Sequence, residues 1–298
     1  MQITGSDIHL LSVFDAVVRN GGFSAAQVEL GLSQPTISNH ITALEQRLGV
    51  TLCQRGRRGF LVTEKGLMVH EIAKTLMGTL DVHSGHLAAL KGNLVGRLKI
   101  AVLDSVCTDP AFRLPEAIAH FTEAAPAVRI ELTIARPQDI VNGVLDGTIH
   151  IGIGSFDNVL SGLRVTDLYR EDHALYCAAA HPFFARDDSA LTEAEITAAP
   201  WVHRGYWSRQ RRKAVNPTDL DRFADEIEAQ LIFVLSGAYL GLLPVHMAEG
   251  HVAAGRLRRL SYKAENYDCP MQMLTRSGEM PQVNALFARI LSDCYGAV

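Results

Sequence analysis

FSAAQVELGLSQPTISNHITALEQRLG, residues 23–49, packs two helix starts and two helix stops into one short stretch. Ser24 with Gln27 reads as a capping box, and Phe23 with Val28 as a hydrophobic staple over the same helix start. Gly31 supplies a left-handed stop. Two residues later Ser33 is placed to cap a second helix, with Pro35 in its first turn and Leu32 able to staple onto Ile37. Two capped helices joined by a short glycine-containing turn are the local grammar of a helix-turn-helix.

The second helix is amphipathic. Ile37, Ile41, Leu44 and Leu48 recur at helical spacing on one face. Pro35, Thr36, Asn39, Thr42 and Gln46 occupy the other, flanked by Gln34 and Ser38, with His40 following Asn39. Small polar side chains near a helix N-terminus can approach base edges and phosphates in a major groove. A solvated helix in a plain helical hairpin has the same generic pattern. Downstream, Arg55, Arg57 and Arg58 cluster in a basic loop. Through Lys65 there are six basic residues against five acidic ones, and the whole chain carries −4. Any contact with DNA must therefore be local and geometric, because no general basic surface exists to grip it.

Working outward, Thr63 is a candidate N-cap for a long helix, along which Ile72, Leu76, Leu80, Leu87 and Leu90 form an apolar stripe. Such a stripe suits pairing with a second copy; it also suits a helix lying on its own domain. From Arg97 strand-like runs alternate with amphipathic helices: RLKIAVL, a helix through Ala117–Ala124, VRIELTI, a helix through Ile140–Leu145, and Thr148–Gly154. That rhythm predicts a parallel sheet with crossovers, and it continues through HALYCAAA, a Leu191–Ala199 helix, PWVH, a helix near 226–236 and CPMQMLT. A chain of 298 residues with 48% hydrophobic content has ample core for two or three units. Five cysteines scattered singly argue against a disulfide framework and for a reducing compartment. The N-terminus has no secretion pattern, and the most apolar segment, 231–245, is shorter than a bilayer span. A cytoplasmic protein without membrane contact is expected.

The run FDAVVRNGGFSAAQVELGLSQPTISNHITALEQRLGVTLCQRGRRGFLVTEKG closely resembles the DNA-binding domain of LysR-type transcriptional regulators, through FSAA, LSQPTIS, ALEQRLG, the RGRRG loop and VTEKG. GRLKIAVLDSV, LPEAIAHFTEAAPAVRIEL, VNGVLDGTIHIGIG and LSGAYLGLLPVHMA resemble the effector domain of that family, with a poor match between about 208 and 227. The resemblance implies a fold of α plus α/β type. A winged helix-turn-helix (1–63) would be followed by a linker helix that pairs antiparallel with another copy (64–92). A two-lobed α/β effector domain of periplasmic-binding-protein type would follow (97–298; lobe 1 about 97–167 and 270–298, lobe 2 about 168–269). It also implies double-stranded DNA with a palindromic operator as partner, a homodimer or dimer of dimers, and possible contact with RNA polymerase. The DNA-binding set is then Ser24, Gln34, Pro35, Thr36, Ser38, Asn39, His40, Thr42, Arg55, Arg57 and Arg58. Asn39 and His40 stand where many members carry a base, which weakens the phosphate grip there.

Ligands in open α/β sheets sit beyond the carboxyl ends of strands. By that rule the effector pocket is lined by Asp104, Ser105, Val106, Cys107 and Thr108 after the first strand. Arg136, Pro137 and Gln138 follow the second, and His203, Arg204, Gly205 and Tyr206 follow PWV. Ser105 and Thr108 can donate to an anion, and Arg136 and Arg204 can pair a carboxylate. Asp104, Asp225 and Glu226 favour an amine or a hydroxyl-rich ligand, so effector charge stays open. Cys107 has no resolving cysteine nearby in sequence and reads as a free thiol. The twelve histidines show neither HxH nor HxxxH spacing, so neither metal nor cofactor is expected. No GxSxG, GxGxxG, P-loop or HExxH motif points to an enzyme. The remaining alternative, a small-molecule binding protein without a DNA role, leaves the capped helix pair unexplained.

Overall fold

The computed structural model describes residues 2–56, 59–89, 94–156, 160–205, 220–261 and 268–296. The chain divides into two compact units, Met1–Leu87 with Asp146–Thr148, and Ala88–Leu145 with Ile149–Val298.

The first unit contains helices α1 (Gly5–Arg19), α2 (Phe23–Leu30) and α3 (Gln34–Leu48). An antiparallel pair, β1 (Cys53–Gly56) and β2 (Gly59–Val62), comes next, and then the long helix α4 (Glu64–Ala89). Phe14, Val17, Phe23, Ala26, Ile37, Ile41, Leu44, Leu52 and Ala73 form one buried cluster, so the helices and the strand pair share a core. The start of α2 differs from the expectation. The helix begins one residue before Ser24, and Gly22 takes the N-cap position with φ of 153°, which a side chain would resist. Phe23 turns inward against Phe60, while Val28 is 92% exposed, so the two cannot form a staple. Gln27 reaches Ser24 only weakly, its Nε2 lying 3.3 Å from the Ser24 carbonyl. Gly31 ends α2 in the left-handed conformation, as the sequence suggests. The start of α3 also holds, since Ser33 Oγ accepts from the Thr36 amide, and Leu32 packs into the core that holds Ile37. Thr63 caps α4, accepting from the Gly66 amide at 2.9 Å.

The expected stripe on α4 divides between two faces. Leu76 joins the helix-turn-helix core beside Val69, Ala73 and Met77. Ile72 is 58% exposed and is accompanied by exposed Leu67 and Met68. Of the two readings that the spacing allowed, Leu76 takes the one in which α4 lies on its own domain, while Ile72 stays outward. The side chain of Leu87 and the whole of Leu90 lie outside the described residues.

The second unit begins with β3 (Gly96–Val102), α5 (Leu114–Ala124), β4 (Val128–Ile134), α6 (Pro137–Asp146), β5 (Ile151–Gly154) and β6 (Leu163–Ala178). It continues with α7 (Glu193–Ala198), β7 (Trp201–Arg204), β8 (Arg222–Ala224), α8 (Ile227–Leu235) and β9 (Leu240–Pro244). The last elements are α9 (Val245–Ala253), β10 (Leu257–Leu260), β11 (Asp268–Arg276) and α10 (Gln282–Cys294). The described strands make one sheet in the order β4-β3-β5-β11-β6-β9-β7-β8, with β10 on β6. Parallel pairing with helical crossovers holds inside each lobe, where β3 runs parallel to β4 and β5, and β7 to β8 and β9. Between the lobes the rule changes. The long strands β6 and β11 pair antiparallel from Leu163↔Arg276 to Asp172↔Asp268, and both run through the expected lobe limits. Lobe 1 buries Leu98, Ile100, Phe121, Ile140, Ile151, Ile153 and Phe287 around its strands. In lobe 2 the alternation of β6 is visible directly, with Leu175 and Cys177 on one covered face and Ala174, Tyr176 and Ala178 on the other.

Candidate functional site

In the first unit, α3 buries Ile37, Ile41 and Leu44 and leaves Gln34, Pro35, Asn39 and Thr42 exposed. Thr36, Ser38 and His40 are half-buried; Thr36 pairs its hydroxyl with Ser33 at 2.8 Å, and His40 meets the His9 ring edge-on at 5.1 Å. Ser24 is exposed in the first turn of α2. Two carboxylates hold this surface in place. Asp7 is buried at the start of α1 and accepts from Arg47 Nε at 3.0 Å and from Thr4. Those bonds hold its pKa down to about 2. Glu45 Oε1 accepts from the Leu52 and Cys53 amides at 2.7 and 3.3 Å and so fastens the end of α3 to β1. Arg55 is on β1 opposite Phe60. Its side chain, and the whole of Arg57 and Arg58, lie outside the described residues.

In the second unit, the loops at the carboxyl ends of β3, β4, β7 and β9 converge between the lobes. Asp104 Oδ2 accepts from the Ile227 amide at the start of α8 and lies 3.8 Å from Arg204 Nη1. Burial raises the pKa of Asp104, while Arg204 opposes the rise. Ser105 Oγ lies 3.1 Å from both Glu228 Oε1 and Met247 Sδ. Its backbone is left-handed, with φ of 63°, the only such non-glycine among the described residues; that conformation costs roughly 1–2 kcal/mol. Strain of this kind is held in place by surrounding contacts and concentrates at functional loops. Thr108 Oγ1 reaches His246 Nδ1 at 2.7 Å. Arg136, just before α6, bridges Asp139 in the first turn of that helix and Asp225 of lobe 2 at 3.0 and 3.4 Å. Asp104, Ile134, Ala135, Arg136, Pro137, Asp139, Asp225 and Glu226 line a cavity of about 270 Å³. Every polar group from lobe 1 named here except Asp139 therefore has a partner across the cleft.

Several expected residues are elsewhere. Val106 is buried in the core of lobe 1, because the turn after β3 points it inward while Cys107 faces solvent. His203 is buried against Trp201, stacked at 6.0 Å, with Nε2 2.8 Å from Asp221 Oδ2; it serves the interior of lobe 2. Gln138 bonds to Asn142 along its own exposed helix face and is not among the cavity residues. Arg204 is buried and donates to the Asp225 carbonyl at 3.0 Å. Gly205 continues that pairing through its amide to Ala224. Tyr206 lies outside the described residues. Glu228, His246 and Met247 were missed, although the strand-end rule applied to β9 and to the start of α8 would have found them.

A third group lies where β6 passes between the lobes. His246 Nε2 lies 3.1 Å from Glu171 Oε1 and 3.7 Å from Asp109 Oδ2. His173 Nε2 lies 3.5 Å from the other Glu171 oxygen, and burial drives the His173 pKa down to about 4. Burial raises the pKa of Asp109; the contact with His246 lowers that of Glu171 against its burial.

Comparison with known proteins agrees with this division. The model of the bacterial regulatory helix-turn-helix protein family, lysR type, matches residues 8–67, and that of the LysR substrate binding domain matches residues 91–294. The HTH-type transcriptional activator BauR of Pseudomonas aeruginosa is 36% identical over 95% of this chain and 93% of its own length. PtxR of the same organism is 28% identical over 85% and 81% of the two chains. Among solved structures, CbnR, a LysR family transcriptional regulator, superposes with a TM-score of 0.63 at 22% identity, covering 97% of this chain and 99% of CbnR. Full-length CbnR complexed with its target DNA gives a TM-score of 0.64 at 23% identity, with the same coverage. With both domain models matched along nearly its whole length, the chain belongs to the LysR family of DNA-binding, ligand-responsive transcriptional regulators.

Proposed function

We propose that this regulator seats α3 in the major groove of a two-fold operator, with its working parts at 1–63, 64–92 and 97–298, and resets their arrangement when a small molecule enters the cleft of the second unit. The observation that carries the DNA half is the capped α3 itself. It buries Ile37, Ile41 and Leu44 in the core, which leaves Gln34, Pro35, Asn39 and Thr42 outward beside a short antiparallel strand pair. Gln34, Thr36, Ser38 and Asn39 read bases, whereas Ser24, His40, Arg55, Arg57 and Arg58 serve the phosphates. A second copy joins through the exposed Leu67, Met68 and Ile72 face of α4, giving the dimer that a palindrome needs. BauR is an activator, which supports activation through RNA polymerase here as well. The cytoplasm, where operator and effector meet, is its place of work, and catalysis has no part in the reading.

Four carboxylates and one arginine line a cavity of about 270 Å³. That charge balance suits a small polar molecule bearing an amine, smaller than the drug-sized ligands of typical pockets. The test is a gel-shift with the DNA upstream of the regulator's own gene, beside a thermal-shift screen of small amines and small carboxylic acids. Absence of sequence-specific binding sinks the DNA half. Stabilisation by acids alone overturns the effector class.

A further inference from the structure

We propose that Asp109, Glu171 and His246 form a site for a divalent first-row transition-metal ion such as zinc, fastening lobe 1 to lobe 2 beside the effector cleft. The three residues come from distant parts of the chain: the loop after β3, the middle of β6 and the first turn of α9. Their facing atoms nevertheless all lie within 4.8 Å of one another. The separations of 3.1 and 3.7 Å bracket the roughly 3.4 Å expected between two ligands about 2.1 Å from a tetrahedral ion. One imidazole nitrogen with two carboxylate oxygens is a donor set that zinc, cobalt(II) and manganese(II) accept.

Each ligand is also held by its other atom. Asp109 Oδ1 accepts from the Ala111 amide at 2.8 Å, which leaves Oδ2 facing inward. Glu171 Oε2 faces His173 while Oε1 faces His246. His246 Nδ1 meets Thr108 Oγ1, a hydroxyl that also reaches the Ser105 carbonyl at 3.3 Å. When that hydroxyl donates to the carbonyl, it accepts from Nδ1–H, and the Nε2 lone pair is left pointing at the two carboxylates. Outer partners of this kind orient metal ligands and raise their basicity. The side chains of Asp109, Glu171 and His246 are only 8, 9 and 7% exposed, so two carboxylates share a site from which water is largely removed. A dication offsets that cost. The Tyr169 hydroxyl, two residues before Glu171 on β6, is buried without a hydrogen-bond partner. The neighbouring trio Glu171, His173 and Cys269 is buried throughout, whereas Asp109 and His246 are half-buried as residues.

The experiment treats the full-length protein with chelator, removes the chelator and titrates with zinc, measuring bound metal by equilibrium dialysis; cobalt(II) replaces zinc for visible spectroscopy. Expected are one ion per chain, the d–d bands of a four-coordinate cobalt site, and binding weakened roughly ten-fold or more in His246→Gln and Asp109→Asn. Thr108→Val, which keeps the ligands and removes their support, should bind about ten-fold more weakly. Wild-type protein that takes up no zinc overturns the proposal, as does equal affinity in His246→Gln, because the imidazole is then not a ligand. Circular dichroism in chelator checks that each variant is folded. If a ligand variant is not, Thr108→Val decides, and unchanged affinity there overturns the site.

Discussion

Asp7 ties the N-terminus of α1 to Arg47 in the last turn of α3, and its depressed pKa turns that tie into a pH dependence. A carboxyl whose folded pKa lies below its unfolded value stabilises the fold fully above the unfolded pKa. That contribution is lost as pH falls through the folded pKa. Urea melts of wild type and Asp7→Asn should therefore differ most at neutral pH and converge as pH falls from about 4 towards about 2. A difference that persists unchanged at the low end would mean that packing, not charge, sets the effect. DNA contacts separate at the same scale. Arg57→Ala should weaken all sequences alike and reduce the salt slope by about one. Gln34→Ala should cost about 1–3 kcal/mol on the operator alone; full operator discrimination in competition gel-shifts would remove Gln34 from the reading face. Ser33 and Thr63 were legible in the sequence because a cap acts within its own turn. Val106 and His203 were not. A strand-end rule selects a loop, but which of its side chains faces the cleft depends on the rotation of the backbone there.

At the scale of the element, α4 packs Leu76 on its own core and leaves Leu67, Met68 and Ile72 exposed, and substitutions should separate the two faces. Ile72→Glu places a charge on an exposed face and should leave the monomer's stability nearly unchanged while dissociating the dimer in sedimentation. Leu76→Glu puts the same charge against the helix-turn-helix core, where Leu76 is half-buried, and should destabilise that unit. Were Ile72→Glu still fully dimeric, the Leu67–Met68–Ile72 face would not be the seam. Periodicity found the helix and its apolar character. It could not divide the stripe, because residues four apart on a helix point nearly the same way and only the neighbouring core decides which are covered. The start of α2 was misplaced for a related reason. Phe23 is worth more buried against Phe60 than placed over Val28, and Gly22 permits the backbone this demands.

At the scale of the molecule, the cleft is laced by pairs that cross it: Asp104 to the start of α8, Ser105 to Glu228, Thr108 to His246 and Arg136 to Asp225. A ligand that enters must replace some of these, and its leverage equals its difference in affinity for the lobes before and after. Ser105→Ala should accordingly abolish the effector response in footprinting while operator binding without effector stays intact. A normal response would move the site away from Ser105. The sequence by itself determined the two kinds of architecture, the capped helix pair, the alternation of strand and helix, and the candidate strand-end loops. All of these depend on contacts within a turn or on periodicity along one element. Only the tertiary structure decided that β6 and β11 cross the lobes antiparallel, that His203 faces inward, and that Asp109, Glu171 and His246 meet. Those facts depend on pairing between segments far apart in the chain, where no local spacing carries a signal.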